Sequence, residues 1–483
     1  MNPKISYLLC CCFIACQLFS LTAHAEPPAW PSNVGIGAEA GVVMDADSGT
    51  LLFEKNGTGA YPPASITKLM TALIVLEHCS LNDTVTYSET AMNSVEADSG
   101  NKFSLQAGDQ MSVEDCLHAM LLVSVNQSAN ALAEHTAGSI PAFVEMMNEK
   151  AAELGCSDKT HFDNPSGLNG ETQQVTACDM ALIAQAAFAN EDLLRISSSL
   201  SYRIPSTIYY PDGFSFRQEH KLVVTDDPNN QLYYPPAMAG KTGYLRKAGN
   251  TLVTYAQKDG KRLISVVLKG SPSPQYFLDG KGLLEFGFQS FQNLSISQQE
   301  SRYVTGNESI ELNGNTYLAA NLMVEPGPVV TLPAGASFGD AALALEPLPE
   351  NAPANAVAVL SYTYQGHPVG KAFLLSKGTP VSIDPSSPED AFKTENSQGA
   401  GLSDGNGQAE AGFPLPALIA VALAIFAVAF MAMSITWIAY SRRKEARDLA
   451  RRREMRRRRL RASGEEAEFE RLMELRRKRG DPP

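Results

Sequence analysis

Ser65 and Lys68 stand three residues apart in PPASITKLMTALIVLEH, which runs from Pro62 to His78. Around them lie Ile66, Leu69, Met70, Ala72, Leu73, Ile74, Val75 and Leu76, apolar on nearly every side of a helix. Positions i and i+3 share a helix face, so Lys68 would hold its amine beside the Ser65 hydroxyl. Burial lowers a lysine pKa and frees the neutral amine as a base. A serine is a weak nucleophile until a base takes its proton. The rival reading makes Ser65 an ordinary N-cap. A capping box would carry Glu or Gln three residues on, and a cation in the first turn opposes the helix dipole. The chemical reading is therefore preferred, although about two Ser-x-x-Lys matches arise by chance in a chain of this length.

Two further clusters fit the same chemistry. Ser124-Val125-Asn126 lies between two apolar helical patterns, in AMLLVSVNQSANALAEHTAGS. It reads either as a polar helix-to-helix turn or as a proton-relaying hydroxyl with a carboxamide that binds a substrate amide. Lys241-Thr242-Gly243 precedes a hairpin, in MAGKTGYLRKAGNTLVTYA. A cation, a hydroxyl and a glycine on an exposed strand suit a substrate carboxylate lying against the backbone. A phosphate-binding loop would need a glycine where Pro235 stands.

The elements that must position these residues are legible in outline. Residues 40–45 and 51–55 read as strands around Ala46-Asp47-Ser48-Gly49. Helical patterns dominate to about Asn190. Strands over 250–257 and 262–269 flank Lys258-Asp259-Gly260-Lys261, and 274–291 reads as a helix packing back. The expected fold is an α/β (α+β) domain: an antiparallel sheet flanked by helices, with a helical subdomain. A small all-β domain and one transmembrane helix follow.

The ends of the chain set its topology. Residues 1–25 have the three-part build of a secretory signal, ending Ala23-His24-Ala25. Residues 26–292 form the expected catalytic domain, 293–385 the small β-rich domain and 386–412 a flexible linker. Residues 413–440 are long and apolar enough to cross a bilayer, and 441–483 form a basic tail. That tail carries 17 Lys+Arg against 9 Asp+Glu, a net of +8. The residues before it carry −21, against −13 overall. Basic residues stay on the cytoplasmic side, which puts the catalytic part outside the cell membrane in a single-pass arrangement. An acidic outer part argues against nucleic acid as a partner. Cys79, Cys116, Cys156 and Cys178 remain after the signal; their spacing is not that of a metal knuckle.

The order Ser65, Ser124, Lys241 combines Ser-x-x-Lys, Ser-x-Asn and Lys-Thr-Gly. With PPASITKLMTAL, ANALAEHTAGS, HFDNPSGL, DMALIAQAAF and LLEFGF, the chain from Val34 to Gln292 resembles low-molecular-mass penicillin-binding proteins of the D-alanyl-D-alanine carboxypeptidase type. The resemblance implies a serine peptidase that removes the terminal D-alanine from peptidoglycan stem peptides, with β-lactams as covalent inhibitors and neither metal nor cofactor. Ser65 would be acylated, Lys68 would be its base, and Ser124 would pass a proton to the leaving D-alanine. Asn126 would position the peptide, and Lys241, Thr242 and Gly243 would receive the terminal carboxylate. The N–H groups of Ser65 and Tyr244 would form the oxyanion hole.

Several positions depart from the family pattern. Val125 stands where many relatives have Gly, and Tyr276 where many have a carboxylate-binding Arg, a role for which Lys221 or Arg246 would have to substitute. Gln173 or Gln174 replaces a His. Asp179 fits a capping box with Thr176 better than a catalytic role. The alternatives to a carboxypeptidase are a class A-like β-lactamase and a non-catalytic sensor of β-lactams or wall fragments.

Overall fold

Strand β1 (Ala40–Asp45) is buried at every position. That follows from its two-sided setting: side chains alternate faces along a strand, and here both faces are covered. Val42 and Met44 join the larger apolar core, while Val43 joins a second core on the opposite face. We describe a computed structural model of the chain, covering residues 26–96, 99–306, 308–312 and 314–377. The expected secretory signal, linker, membrane span and basic tail lie outside the described residues. Among the described residues no helix is long and apolar enough to cross a membrane.

β1 belongs to a five-stranded sheet with β2 (Leu51–Lys55), β3 (Ala237–Leu245), β4 (Gly249–Lys258) and β5 (Lys261–Gly270), in the order β2-β1-β5-β4-β3. All neighbours are antiparallel. β4 and β5 meet at the tight Asp259-Gly260 turn, with Lys258 opposite Lys261. β3 is an edge strand, paired within the sheet on one side only.

Helices α1 (Lys68–His78), α2 (Val113–Val123), α3 (Asn126–Ala137) and α4 (Ala177–Ala189) share the larger core with one sheet face. Eight consecutive residues of α1, Lys68 to Val75, are buried, so it is a central element rather than an amphipathic surface helix. α5 (Gln275–Ser290) covers the other face through Phe277, Leu283, Leu284 and Phe286. Lys261 closes the end of α5 by donating to the carbonyls of Gly287 at 2.8 Å and Phe291 at 2.6 Å.

Strand β6 (Phe291–Ser295) follows α5 directly and pairs with β8 (Val329–Pro333). A four-stranded antiparallel sheet contains β7 (Leu322–Val324), β9 (Ala342–Glu346), β10 (Ala356–Tyr364) and β11 (His367–Ser376), in the order β7-β11-β10-β9. Its core centres on Leu332, Leu360, Tyr362 and Leu374. All the described residues fall in one compact unit. Asn293 donates to the buried Asp45 carboxylate at 2.9 Å, and Ser48 and Thr331 share a hydroxyl contact of 2.7 Å, so the second β region is tied to the β1–β2 turn.

Candidate active site

The α1 region departs from the expected single helix in one useful respect. Ala64 has φ +51° and opens a 3₁₀ turn, Ala64–Thr67, that runs into α1 at Lys68. In a 3₁₀ turn residues i and i+3 eclipse, which brings Ser65 and Lys68 together more directly than an α-turn would. The N-cap of this turn is Pro63, and Ser65 lies inside the turn rather than at its cap. The site is built around Lys68 instead.

Lys68 is fully buried. Its Nζ lies 3.0 Å from Ser65 Oγ and 2.7 Å from Asn126 Oδ1, and it also donates to the Ser166 carbonyl. Burial, then the nearby charges of Lys241 and Lys102, hold its ammonium well below the ordinary lysine range. A neutral amine has two N–H donors and one lone pair. In that state the two carbonyl oxygens would take the donors, leaving the lone pair for the Ser65 hydroxyl. The lowered pKa favours the neutral amine that general-base chemistry requires.

The Ser166 carbonyl is aimed by its own loop. Asn164 Oδ1 accepts from Ser166 Oγ at 3.0 Å and from the Gly167 N–H at 2.8 Å, while Thr71 donates to the Pro165 carbonyl at 2.6 Å. Gly167 has φ +81°, and a Cβ on it would lie 2.0 Å from the Ala64 carbonyl oxygen. Only glycine fits between this loop and the nucleophile's turn. A cleft of about 680 Å³ continues outward past Glu96, Asn164, Ser166, Leu168 and Thr172.

Ser124-Val125-Asn126 is the connection between α2 and α3. Ser124 ends α2 in the left-handed region at φ +66°, and Asn126 begins α3. Val125 has φ −65° and is buried, so valine costs no backbone strain at this position. The departure from Gly is therefore conformationally neutral. The C-terminal end of α2 is closed by two groups that no sequence pattern indicated. Lys102 Nζ donates to the Val123 carbonyl at 2.6 Å and to Glu219 at 2.8 Å, and the Glu219 N–H donates to the Leu122 carbonyl at 3.0 Å.

Lys241, Thr242, Gly243 and Tyr244 lie along β3. Lys241 is buried and donates to the Thr242 carbonyl at 2.7 Å. Burial pulls its pKa down to about 7, with Glu219 opposing that shift and Lys102 adding to it. Tyr244 is 67% exposed. The strand is anchored to the nucleophile's turn by β4, where Thr251 donates to the Pro63 carbonyl at 2.8 Å.

Tyr276 lies in the second apolar core. It is buried against Phe277, with ring centroids 4.1 Å apart, and burial followed by Glu219 pushes its hydroxyl up to about 12. Lys221 is exposed and donates to Ser273 at 3.1 Å; Arg246 is exposed just past the end of β3. The capping reading of Asp179 is half right. Thr176 accepts from the Asp179 N–H at 3.0 Å. The Asp179 carboxylate does not return the bond; it accepts from Ser157 at 2.7 Å and Thr160 at 2.6 Å and pins that turn. Gln173 bridges the site loops by accepting from the Asp163 N–H at 2.6 Å and donating to Thr67 at 3.2 Å. Among the described residues, Cys79, Cys116, Cys156 and Cys178 are free thiols.

The chain is similar to known proteins over this region. The D-alanyl-D-alanine carboxypeptidase family of peptidases matches residues 24–271. A D-alanyl-D-alanine carboxypeptidase of Mycobacterium tuberculosis is 34% identical over 256 residues, covering 52% of this chain and 82% of its own length. A Bacillus subtilis carboxypeptidase is 30% identical over 260 residues, 53% of this chain but 63% of its own length. The crystal structure of penicillin binding protein 5 from Haemophilus influenzae superposes with a TM-score of 0.55 at 25% identity, covering 72% of this chain and 98% of that one. With the Ser65–Lys68 pair, the α2–α3 turn and the β3 edge brought together in one site, the chain belongs to the D-alanyl-D-alanine carboxypeptidase family of serine peptidases.

Proposed function

We propose that the chain removes the terminal D-alanine from peptidoglycan stem peptides through an acyl-enzyme on Ser65. The observation that carries this reading is the buried Lys68 amine, 3.0 Å from Ser65 Oγ and flanked by two carbonyl acceptors. Neutral Lys68 takes the Ser65 proton, and Oγ attacks the carbonyl carbon of the penultimate D-alanine. The N–H groups of Ser65 and Tyr244 hold the oxyanion. The C–N bond breaks as the proton passes from Lys68 through Ser124 to the leaving amine. Water, deprotonated by Lys68, then cleaves the ester, releasing the shortened peptide and restoring Ser65. Asn126 positions the peptide, and Lys241 and Thr242 bind the terminal carboxylate.

Incubation of the purified chain with diacetyl-Lys-D-Ala-D-Ala tests the proposal. Release of D-alanine that is lost in Ser65→Ala supports it. Acylation by penicillin without D-alanine release would make the protein a sensor, and rapid turnover of penicillin would make it a β-lactamase. We further propose the topology and boundaries expected from the sequence: a signal over 1–25, a catalytic domain over 26–292, a β-rich domain over 293–385 and a linker over 386–412. A membrane helix over 413–440 and a cytoplasmic tail over 441–483 complete it, with catalysis outside the cell membrane. The uncharged apolar run before an Arg-rich tail supports this arrangement. Protease added to intact spheroplasts should digest the catalytic part and spare the tail.

A further inference from the structure

The ends of α1 and α3 far from the chemistry bring together three side chains of metal-ligating type. Cys79 directly follows α1, Asp83 lies in the turn beyond it, and His135 is in the last turn of α3. Their ligand atoms all lie within 4.8 Å of one another, with His135 Nε2 3.9 Å from Asp83 Oδ2. A simple ion pair between His135 and Asp83 accounts for two of the three groups and leaves the thiol unexplained. Cys79 Sγ is 3.4 Å from Thr136 Oγ1, whose own hydrogen goes to the Leu132 carbonyl at 2.8 Å. Thr136 therefore accepts from a thiol and offers nothing to a thiolate.

We propose that Cys79, Asp83 and His135 form a binding site for one divalent transition-metal ion of the zinc class, with water as the fourth ligand. Three protein ligands and a water are a common open zinc arrangement. Zinc bonds of about 2.0–2.3 Å in a tetrahedron place neighbouring donors roughly 3.3–3.6 Å apart. Reaching that spacing requires movements of about 1 Å, within the rotamer freedom of two half-buried side chains and one exposed one. The sulfur and nitrogen donors select a borderline metal; calcium and magnesium take oxygen ligands. Asp83 Oδ2 also accepts from the Ser80 N–H at 2.9 Å, which orients the carboxylate.

The site is roughly 16 Å along α1 from Lys68, at a helical rise of 1.5 Å per residue, so the ion takes no part in acyl transfer. Its effect is mechanical. α1 begins at Lys68 and α3 at Asn126, and these two residues are bonded at 2.7 Å. The ion joins the same two helices at their other ends, so base and carboxamide are held in register from both sides.

The purified full-length chain, stripped by chelator, is titrated with Co²⁺ and then Zn²⁺. The expected result is one equivalent of Co²⁺ with thiolate-to-cobalt absorption in the near ultraviolet, displaced by Zn²⁺, and a Zn²⁺-dependent rise in Tm. Cys79→Ser and His135→Ala should each weaken binding roughly tenfold or more, while His78→Ala, whose Nδ1 is already bonded to the Ile74 carbonyl, should leave it unchanged. Penicillin labelling of Ser65 reports that each variant is folded, and His135 is exposed enough to substitute without disturbing the core. Absence of stoichiometric binding, or binding that survives both ligand substitutions, would overturn the proposal.

Discussion

A Cβ on Gly243 would stand 2.8 Å from the backbone nitrogen of Ser65. The same atom would lie 2.4 Å from Thr251 Oγ1, which holds the Pro63 carbonyl. β3 is therefore pressed against the turn that presents the nucleophile, and the third residue of Lys-Thr-Gly is the spacer that permits it. Gly243→Ala should push the strand and the Ser65 N–H apart. Overpacking of this kind costs about 1–3 kcal/mol of stability, and displacement of a catalytic group by about 1 Å costs on the order of 10²-fold in rate. Stopped-flow acylation by a fluorescent penicillin measures the rate. A normal rate would mean that the strand does not form the wall of the oxyanion space.

The two buried lysines set opposite limbs of the pH profile. Lys68 is a base only when neutral, so acylation should rise with pH through its lowered pKa and then level off. Lys241 binds a carboxylate only when charged. In the free enzyme it loses its proton near pH 7, so kcat/KM should fall above that value. A bound carboxylate favours the ammonium, so the falling limb of kcat should lie at higher pH than that of kcat/KM. Lys68→Ala should remove the rising limb and slow acylation by about 10²–10⁴-fold. A rising limb that persists in Lys68→Ala would assign the base to another group.

Lys102 should modulate both lysines without touching the reacting atoms. Its charge lowers Lys68 and Lys241 alike, and Glu219 opposes it at Lys241. Removing the cation in Lys102→Met should move the Lys68 limb to higher pH and slow acylation at pH 7. Lys102 and Glu219 are each nearly half exposed, so solvent screening limits the effect to about 2–5-fold. Glu219→Gln should instead raise KM by favouring neutral Lys241. Measured pH–rate profiles of both variants separate the two shifts, and an unchanged Lys68 limb in Lys102→Met would rule out the electrostatic role.

What could be read in advance was local. The i, i+3 spacing of Ser65 and Lys68, the apolar surround of α1 and the β4–β5 hairpin all depend on residues close in sequence. The groups that complete the site do not. The Ser166 carbonyl reaches Lys68 from 98 residues away, and Lys102 meets Glu219 across 117. No periodicity links such pairs, and a backbone carbonyl has no residue type to recognise. Val125 looked like a departure because its φ is invisible in sequence; the left-handed residue is Ser124 beside it. The carboxylate of Asp179 had the right spacing for a capping box, but tertiary partners at Ser157 and Thr160 took it.

Lys241 should lower stability as it serves binding. Its folded pKa of about 7 lies below the unfolded value of 10.5, so between those values the unfolded chain holds a proton that the folded chain has released. Stability contributed by this residue therefore rises with pH from about 7 to 10.5. Below pH 7 both states are charged, and the cost of burying the ammonium is present in full. Lys241→Met keeps most of the volume and removes the charge. It should raise Tm at pH 6, by about 1–3 kcal/mol in stability, and flatten the rise between pH 7 and 10.5. The same variant should lose binding of peptides that end in a free carboxylate. Thermal unfolding of both proteins across this pH range checks the sign. Destabilisation of Lys241→Met at pH 6 would show that the bond to the Thr242 carbonyl outweighs the burial of charge.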